Sequence, residues 1–326
     1  MKKSLHLVLV LCLSFSLACS SKRPKGEAPP VSVSPSGNKG PEVPQNAATP
    51  EKPSESTAAI PSTAPGSPKQ RVTLVLGGAG IASFATVGIL KRFQEEGIEI
   101  DLIVSTGWPT LFALGYSFMK SVHDLEWFAM RLQEKDFYKA GIFEGSSKGY
   151  ASHDVLSNLI QNSFKQREIG EGKIPVVISA GNTELSEQDL FDHGDWKAPL
   201  LMTMSVPGIY RPYPQAADKG AINSMQGIDI SEAIKRGAKT VIAVNMYPDY
   251  FKHLETEKKD TSDNVFRKLY LSQLRKSIAT ETKDQPFVGV ISLNLPVNDF
   301  ASKRVAIFTG YREGTRLTRL LRAAQK

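Results

Sequence analysis

From Arg71 onward, the apolar positions fall into two kinds of pattern: short continuous runs, and longer stretches recurring every three or four residues. Val72-Thr-Leu-Val-Leu76 is a run of the buried-strand kind, followed by Gly77-Gly-Ala-Gly80. Phe84, Val87, Leu90 and Phe93 then recur at three-residue spacing, which predicts an amphipathic helix, and Gly97 supplies its stop. Ile98 to Val104 reads as the next strand and ends abruptly at Ser105-Thr106-Gly107. Pro109 stands where a first helical position would be, and Leu111, Phe112, Leu114 and Tyr116 continue into a helix. Strand, helix, strand within about 35 residues is a βαβ unit, so a parallel sheet with covering helices is expected.

The pattern repeats downstream. Leu125 to Glu134 is helical in spacing, Gly141-Ile-Phe-Glu-Gly145 is a loop, and Ser152-His-Asp154 is placed to cap a helix from Val155 to Phe164. Strands are expected at Pro175 to Ala180, Glu187 to Asp192, Thr240 to Asn245 and Phe287 to Leu295. Helices are expected at Pro199 to Ser205, Asp229 to Arg236, Val265 to Ile278 and Arg312 to Ala324. Phe266, Leu269, Tyr270 and Ile278 should share the buried side of the penultimate helix. Val206 to Pro214 is too proline-rich for regular structure. About 255 residues without an internal repeat fit one α/β domain.

Residues 1–70 read differently. Met1-Lys-Lys3 is a short positive region and Leu5 to Leu17 is strongly apolar, the length of a signal-peptide core and too short for a spanning helix. Ser16-Leu-Ala-Cys19-Ser20 follows, and it resembles a bacterial lipoprotein signal, in which the cysteine becomes the acylated first residue. Ser16 departs from that pattern, which usually has leucine there. An ordinary secretory signal with an incidental cysteine is the other reading. The resemblance implies cleavage after residue 18, a lipidated Cys19, and residence in the bacterial envelope, on the outer membrane if Ser20 acts as a sorting residue. Ser20 to Gln70 holds 11 of the 20 prolines and no aromatic residue, so it cannot bury enough apolar surface to offset chain entropy. Residues 19–70 are therefore expected to be a disordered or extended tether, reaching roughly 40 Å as a coil and roughly 150 Å fully extended.

Charge and cysteine content exclude some functions. The formal net charge is +7, but no dense Lys/Arg run is interleaved with aromatics, so nucleic acid is not an expected partner. Of the two cysteines, Cys12 lies inside the signal core, which leaves neither a disulfide framework nor a cysteine metal site. No metal or cofactor is expected.

The chemistry-bearing candidates lie in two glycine turns. Gly77, Gly78, Ala79 and Gly80, between a strand and a helix, put backbone N–H groups where an anion or oxyanion could sit. They also approach a dinucleotide fingerprint. That reading lacks its third glycine, replaced by Ser83, and needs an acid at the far end of the second strand; Glu99 and Asp101 sit at its beginning instead. Ser105-Thr-Gly107-Trp-Pro109 has the strand–turn–helix frame of a nucleophile elbow, with glycine at the tip.

Leu74 to Lys91, Asp101 to Gly107, Gly141 to Gly145, Ser205-Val-Pro-Gly-Ile-Tyr210 and Gly237 to Val244 together resemble the patatin-like phospholipases over nearly all of residues 71–326. The resemblance implies a three-layer α/β/α domain with a mainly parallel central sheet. It also implies a serine–aspartate acyl-hydrolase dyad. This sequence departs from the family pattern at most chemical positions. The elbow glycines are Ser105 and Pro109, the nucleophile is Gly107, and the oxyanion loop has Ala79, Ala82 and Ser83 in place of glycine, arginine and glycine. A family histidine is Thr86. The aspartate turn corresponds to Asp218-Lys-Gly-Ala221, with Lys219 at the catalytic place, or Asp218 if one residue is inserted. The expected function is a membrane-tethered pseudoenzyme that binds an acyl lipid or an envelope protein partner. The alternative is a lipid acyl hydrolase using non-standard residues.

Overall fold

The computed structural model describes residues 71–326, apart from 120, 138–150, 165–166, 183–187, 208, 214–219, 249, 251, 253–261, 284–288, 294, 296–298 and 324–326. The opening unit forms as the apolar pattern predicts. β1 (Arg71–Gly78) leads through a 3₁₀ turn (Gly80–Phe84) into α1 (Ala85–Glu95), and β2 (Glu99–Gly107) runs into α2 (Pro109–Phe118). There follow α3 (Val122–Arg131), α4 (Asp154–Ser163), β3 (Val176–Asn182), β4 (Gln188–Phe191) and α5 (Lys197–Met204). β5 (Ala221–Asn223), α6 (Ile230–Lys235), β6 (Val241–Met246), α7 (Ser262–Glu281), β7 (Gly289–Ser292) and α8 (Lys303–Ala323) complete the order.

The strands form one seven-stranded sheet in the order β4-β3-β2-β1-β6-β7, with β5 also on β3. β1 is parallel to β2 and β6, β2 to β3, and β6 to β7, while β4 and β5 pair antiparallel with β3. β6 is buried along its whole length and β1 everywhere but Arg71, as befits central parallel strands covered on both faces, which read as continuous apolar runs. The α/β class with a mainly parallel sheet is thus the observed one.

Two expectations need correction. The last helix starts at Lys303, nine residues before the expected Arg312. Its first turns present Arg304, Val305 and Phe308 to solvent, so they carry no clean amphipathic stripe. Leu269 is 65% exposed, and the buried apolar positions of α7 among the described residues are Tyr270, Leu271, Leu274 and Ile278; Phe266 lies outside them. α8 packs on α1 almost backbone to backbone. A Cβ on Gly88 would lie 1.9 Å from the Ile307 carbonyl oxygen, and one on Gly310 would lie 1.9 Å from that of Ala85. Among the described residues, no helix is long and apolar enough to cross a membrane.

Candidate functional site

The strand order turns back at β1: β2, β3 and β4 lie on one side of it, β6 and β7 on the other. In an open α/β sheet, such a switch point leaves a crevice beyond the carboxyl ends of the strands. Here those ends are Gly78, Gly107 and Met246, which stand side by side in register. The two glycine turns singled out in the sequence therefore meet at one place. Gly77, Gly78, Ala79, Gly80 and Gly107 are all buried.

Gly107 has φ +77°, a backbone conformation that disfavours any Cβ. Its surroundings forbid one outright. A Cβ built there would lie 2.1 Å from the Gly78 carbonyl oxygen and 2.7 Å from Asn223 Nδ2. The amide of Trp108 donates to that same Gly78 carbonyl at 3.1 Å. In a hydrolase elbow, the amide after the nucleophile is an oxyanion donor, and here it is already engaged. The Gly107 amide donates to Thr203 Oγ1 at 2.7 Å, and Thr203 Oγ1 donates to the Ser179 carbonyl at 2.7 Å. The loop after β1 has no slack to move away. A Cβ on Gly77 would lie 1.8 Å from the Gly227 carbonyl oxygen, and Gly78 faces Met246 Cβ in the same way at 2.6 Å.

Behind the tip lies a fully buried polar network centred on Asn223, the last residue of β5. Its Nδ2 donates to the Thr203 carbonyl at 3.0 Å and approaches Thr106 Oγ1 at 3.5 Å. Its Oδ1 accepts from Tyr247 Oη at 3.0 Å and from Tyr270 Oη at 2.8 Å. A carbonyl on one side and two phenols on the other assign the amide orientation, since only nitrogen can donate to Thr203. Burial pushes both phenols well above the ordinary tyrosine value, so they are donors and not bases at any ordinary pH.

Beside the tip, the aromatic ring of Trp108 packs into a cluster. Trp108 stacks on Phe137 at 4.8 Å with an interplanar angle of 5°, and Phe137 packs against Phe300 at 5.2 Å. Trp108 is 2% exposed, and its indole N–H has no acceptor among the described residues. An orphaned buried donor is unfavourable by about 1–3 kcal/mol, so this ring is held by packing. Ser105 Oγ and Thr110 Oγ1 bond to each other at 3.0 Å. Neither Ser105 nor Thr106 touches a carboxylate or imidazole among the described residues, and an activated hydroxyl needs such a base within about 3 Å.

One histidine is placed differently from the sequence expectation. His153 occupies the N-cap position of α4 without capping it by its side chain. It is buried, stacks 5.3 Å from Tyr210, and its Nε2 lies 2.8 Å from Ser205 Oγ. A serine–histidine contact suggests a displaced nucleophile. However, Ser205 gives its proton to the Leu201 carbonyl at 2.7 Å, so the imidazole must be the donor and cannot act as base. Burial lowers the His153 pKa to about 4, with Asp154 opposing weakly. Asp229 goes the other way. Burial raises its carboxyl to about 6, although the Gln188 amide donates to it; Ser179 lies close enough to favour the charge without reaching hydrogen-bond geometry.

Asp218, Lys219, Gly141 to Gly145 and Cys19 lie outside the described residues. Asn223, which the sequence reading did not single out, is the polar side chain that reaches the tip. Its strand is three residues long and carries no periodic signal. No group of three metal-ligating side chains occurs among the described residues.

The patatin-like phospholipase family model matches residues 74–229, from the first strand to the edge of α6. Lysophospholipase NTE1 of Kluyveromyces lactis is 25% identical over 185 residues, which is 54% of this chain and 13% of that one. The proteins of the same name in Candida glabrata and Eremothecium gossypii are 24% and 25% identical over 185 residues, again 54% of this chain and 10% and 12% of theirs. The chain therefore spans a small part of these relatives. VipD from Legionella pneumophila aligns over 77% of this chain and 66% of its own at 10% identity, with a TM-score of 0.38. With the parallel sheet and the matched segment running through both glycine turns, residues 74–229 carry a domain of the patatin-like phospholipase kind.

Proposed function

We propose that this domain is a patatin-like pseudoenzyme, which has kept the lipid-related role of its family and lost hydrolysis. Gly107 stands at the nucleophile position. Asn223 is the polar side chain that reaches the tip among the described residues, and it brings an amide there, not a carboxylate; the expected acid positions, Asp218 and Lys219, lie outside the described residues. The single observation that carries the reading is the Gly78 carbonyl oxygen, 2.1 Å from where a Gly107 Cβ would be. The missing hydroxyl is therefore one part of a larger change: the volume a nucleophile would need is occupied by backbone, and an oxyanion donor is satisfied internally. An amide beside the tip takes no proton near neutral pH, so Asn223 cannot serve as a base there. An acyl hydrolase with substitute residues is not favoured, since Ser105, Thr106 and Ser205 have no base.

The retained role is binding, of an acyl lipid or of an envelope protein, by a domain tethered through a lipidated Cys19. The naming of the relatives as lysophospholipases makes single-chain phospholipids the first ligands to try. The test is a combined screen on one preparation. Purified protein is incubated with lysophospholipids and short acyl esters, and both release of fatty acid and retention of intact lipid are measured. Binding without release is the expected result; release that scales with protein concentration sinks the proposal. Labelling by a fatty-acid probe that disappears in Cys19→Ser tests the tether.

A further inference from the structure

A cleft of about 840 Å³ lies between α1, α3 and α8, and no residue of the two glycine turns lines it. Trp127, Met130, Arg131, Arg304 and Phe308 line it. Phe308 also borders a second hollow of about 410 Å³ with Arg312, Arg316 and Arg319. This outer face of α3 and α8 carries large apolar side chains that packing leaves in water: Trp127 is 58% exposed, Phe308 65% and Val305 56%. These residues are not a neglected core face. α8 buries Ala306, Ile307, Gly310, Gly314 and Leu317 against the domain, so the exposed ridge is a second, separate apolar surface on a rigid helix.

The charge on the ridge is one-sided. α8 carries six cationic residues and one carboxylate, Glu313. Glu313 is shared by Arg316 at 3.4 Å and Arg312 at 3.9 Å. Arg131, Arg304 and Arg319 have no carboxylate within 4.0 Å among the described residues. Inside the cleft, Lys91 is neutralised by Glu126 at 2.9 Å, and the Trp127 indole donates sideways to His123 Nε2 at 2.7 Å. The free charge is thus all positive and borne on long arginine stems beside aromatic rings.

From this juxtaposition of exposed rings and unpaired arginines, we infer that the α3–α8 face docks the domain onto an anionic phospholipid bilayer. Trp127 and Phe308 enter the headgroup boundary, and Arg131, Arg304 and Arg319 meet lipid phosphates. Rings at that depth and arginines reaching outward from apolar stems are the interfacial arrangement. The carboxylates on this face, Glu95, Glu126 and Glu313, are each engaged by a cation, so the charge left over is positive and selects anionic over zwitterionic lipid. The inference does not rest on the loss of hydrolysis, since neither Gly107 nor its neighbours line this face and vesicle binding is read separately from acyl release.

The chain contains three tryptophans, and Trp108 and Trp196 are 2% and 0% exposed, so quenching by lipid reports Trp127. The full chain carrying Cys19→Ser, which removes acylation, is mixed with phosphatidylcholine vesicles containing a doxyl-lipid quencher, with and without phosphatidylglycerol. Quenching is expected only with phosphatidylglycerol, should weaken with salt, and should vanish in Trp127→Phe. Arg304→Gln and Arg319→Gln should each lower partitioning about fivefold, the equivalent of roughly 1 kcal/mol per cation near an anionic surface. Phe308→Ser should lower it comparably. All these side chains are exposed, and an unchanged near-UV circular dichroism spectrum checks the fold. Equal partitioning onto phosphatidylcholine, no quenching on anionic vesicles, or arginine variants that partition like the parent would overturn the inference. The last outcome would assign binding to the apolar residues 5–17. Quenching by dispersed single-chain lipid but not by vesicles would also overturn it and make the cleft a site for one ligand molecule.

Discussion

Gly107→Ala is the sharpest perturbation of the proposed site, because it adds one methyl group where the structure has no room. Two effects contribute. An L-residue at φ +77° is disfavoured by about 1–2 kcal/mol. The new Cβ also lies more than an ångström short of ordinary contact with the Gly78 carbonyl oxygen. Relief requires moving the loop after β1, which breaks the Trp108 N–H···O bond, a loss of about 0.5–1.5 kcal/mol. It also forces overpacking against Met246 and Gly227, a further 1–3 kcal/mol or so. The expected total is about 3–6 kcal/mol, a large share of the roughly 5–15 kcal/mol that holds a domain together. For a domain of this size, it should lower Tm by roughly 6–24 °C.

Gly97 provides the control. Its φ is +69°, yet a Cβ there meets nothing within 4 Å. Gly97→Ala should show the backbone penalty alone, about 1–2 kcal/mol. The gain from restricting the unfolded chain is common to both substitutions and cancels in their difference. Urea unfolding of the two variants therefore isolates the clash. Gly107→Ser should behave like Gly107→Ala and hydrolyse nothing. If Gly107→Ala and Gly97→Ala are equally stable, the loop moves freely and the claim of an occupied tip is wrong.

Two further outcomes follow from the buried polar groups. Asn223→Asp places a carboxylate oxygen 3.0 Å from the Thr203 carbonyl with no cation beside it, so the folded state must keep it protonated. Its folded pKa lies above the unfolded one. Stability should match the parent near pH 4 and fall as pH rises, by about 1.4 kcal/mol per unit until the folded pKa is reached; no fall by pH 7, measured in urea, refutes the network. His153 and Asp229 make a pair of opposite signs. His153, depressed to about 4 from 6.5, loses stability as pH falls from 6.5 towards 4. Asp229, raised from 3.8 to about 6, loses it as pH rises over nearly the same window. Each amounts to about 3 kcal/mol, so the parent should look nearly flat. Asp229→Asn should make stability rise with pH across pH 4–6.5, and His153→Gln should make it fall; parallel profiles would contradict both placements.

Much of the fold was legible because its central strands and α1 are dominated by burial. β1 and β6 read as continuous apolar runs, and Gly107 followed by Pro109 announced the turn into α2. What was hidden depends on contacts distant in sequence. β5 is three residues long, so no periodicity marks it. Asn223 gains meaning only when Tyr247, Tyr270 and Thr203 close around it. His153 read as a cap because Ser152 and Asp154 flank it, whereas Ser205 and Tyr210, over fifty residues away, decide its place. The start of α8 was missed for a related reason: Val305 and Phe308 face outward, so the stripe that signals a helix is broken there. The vacancy at Gly107 was visible in sequence, but the backbone oxygen that fills it was not.

The measurement that bears most directly on the account is fatty-acid release from lysophospholipid by the purified parent protein, beside Gly107→Ala. The account predicts no release above a heat-inactivated control for either protein, at any protein concentration. Release by the parent that rises in proportion to protein concentration and is abolished in Gly107→Ala would contradict it, because chemistry would then be taking place at a tip that the structure fills.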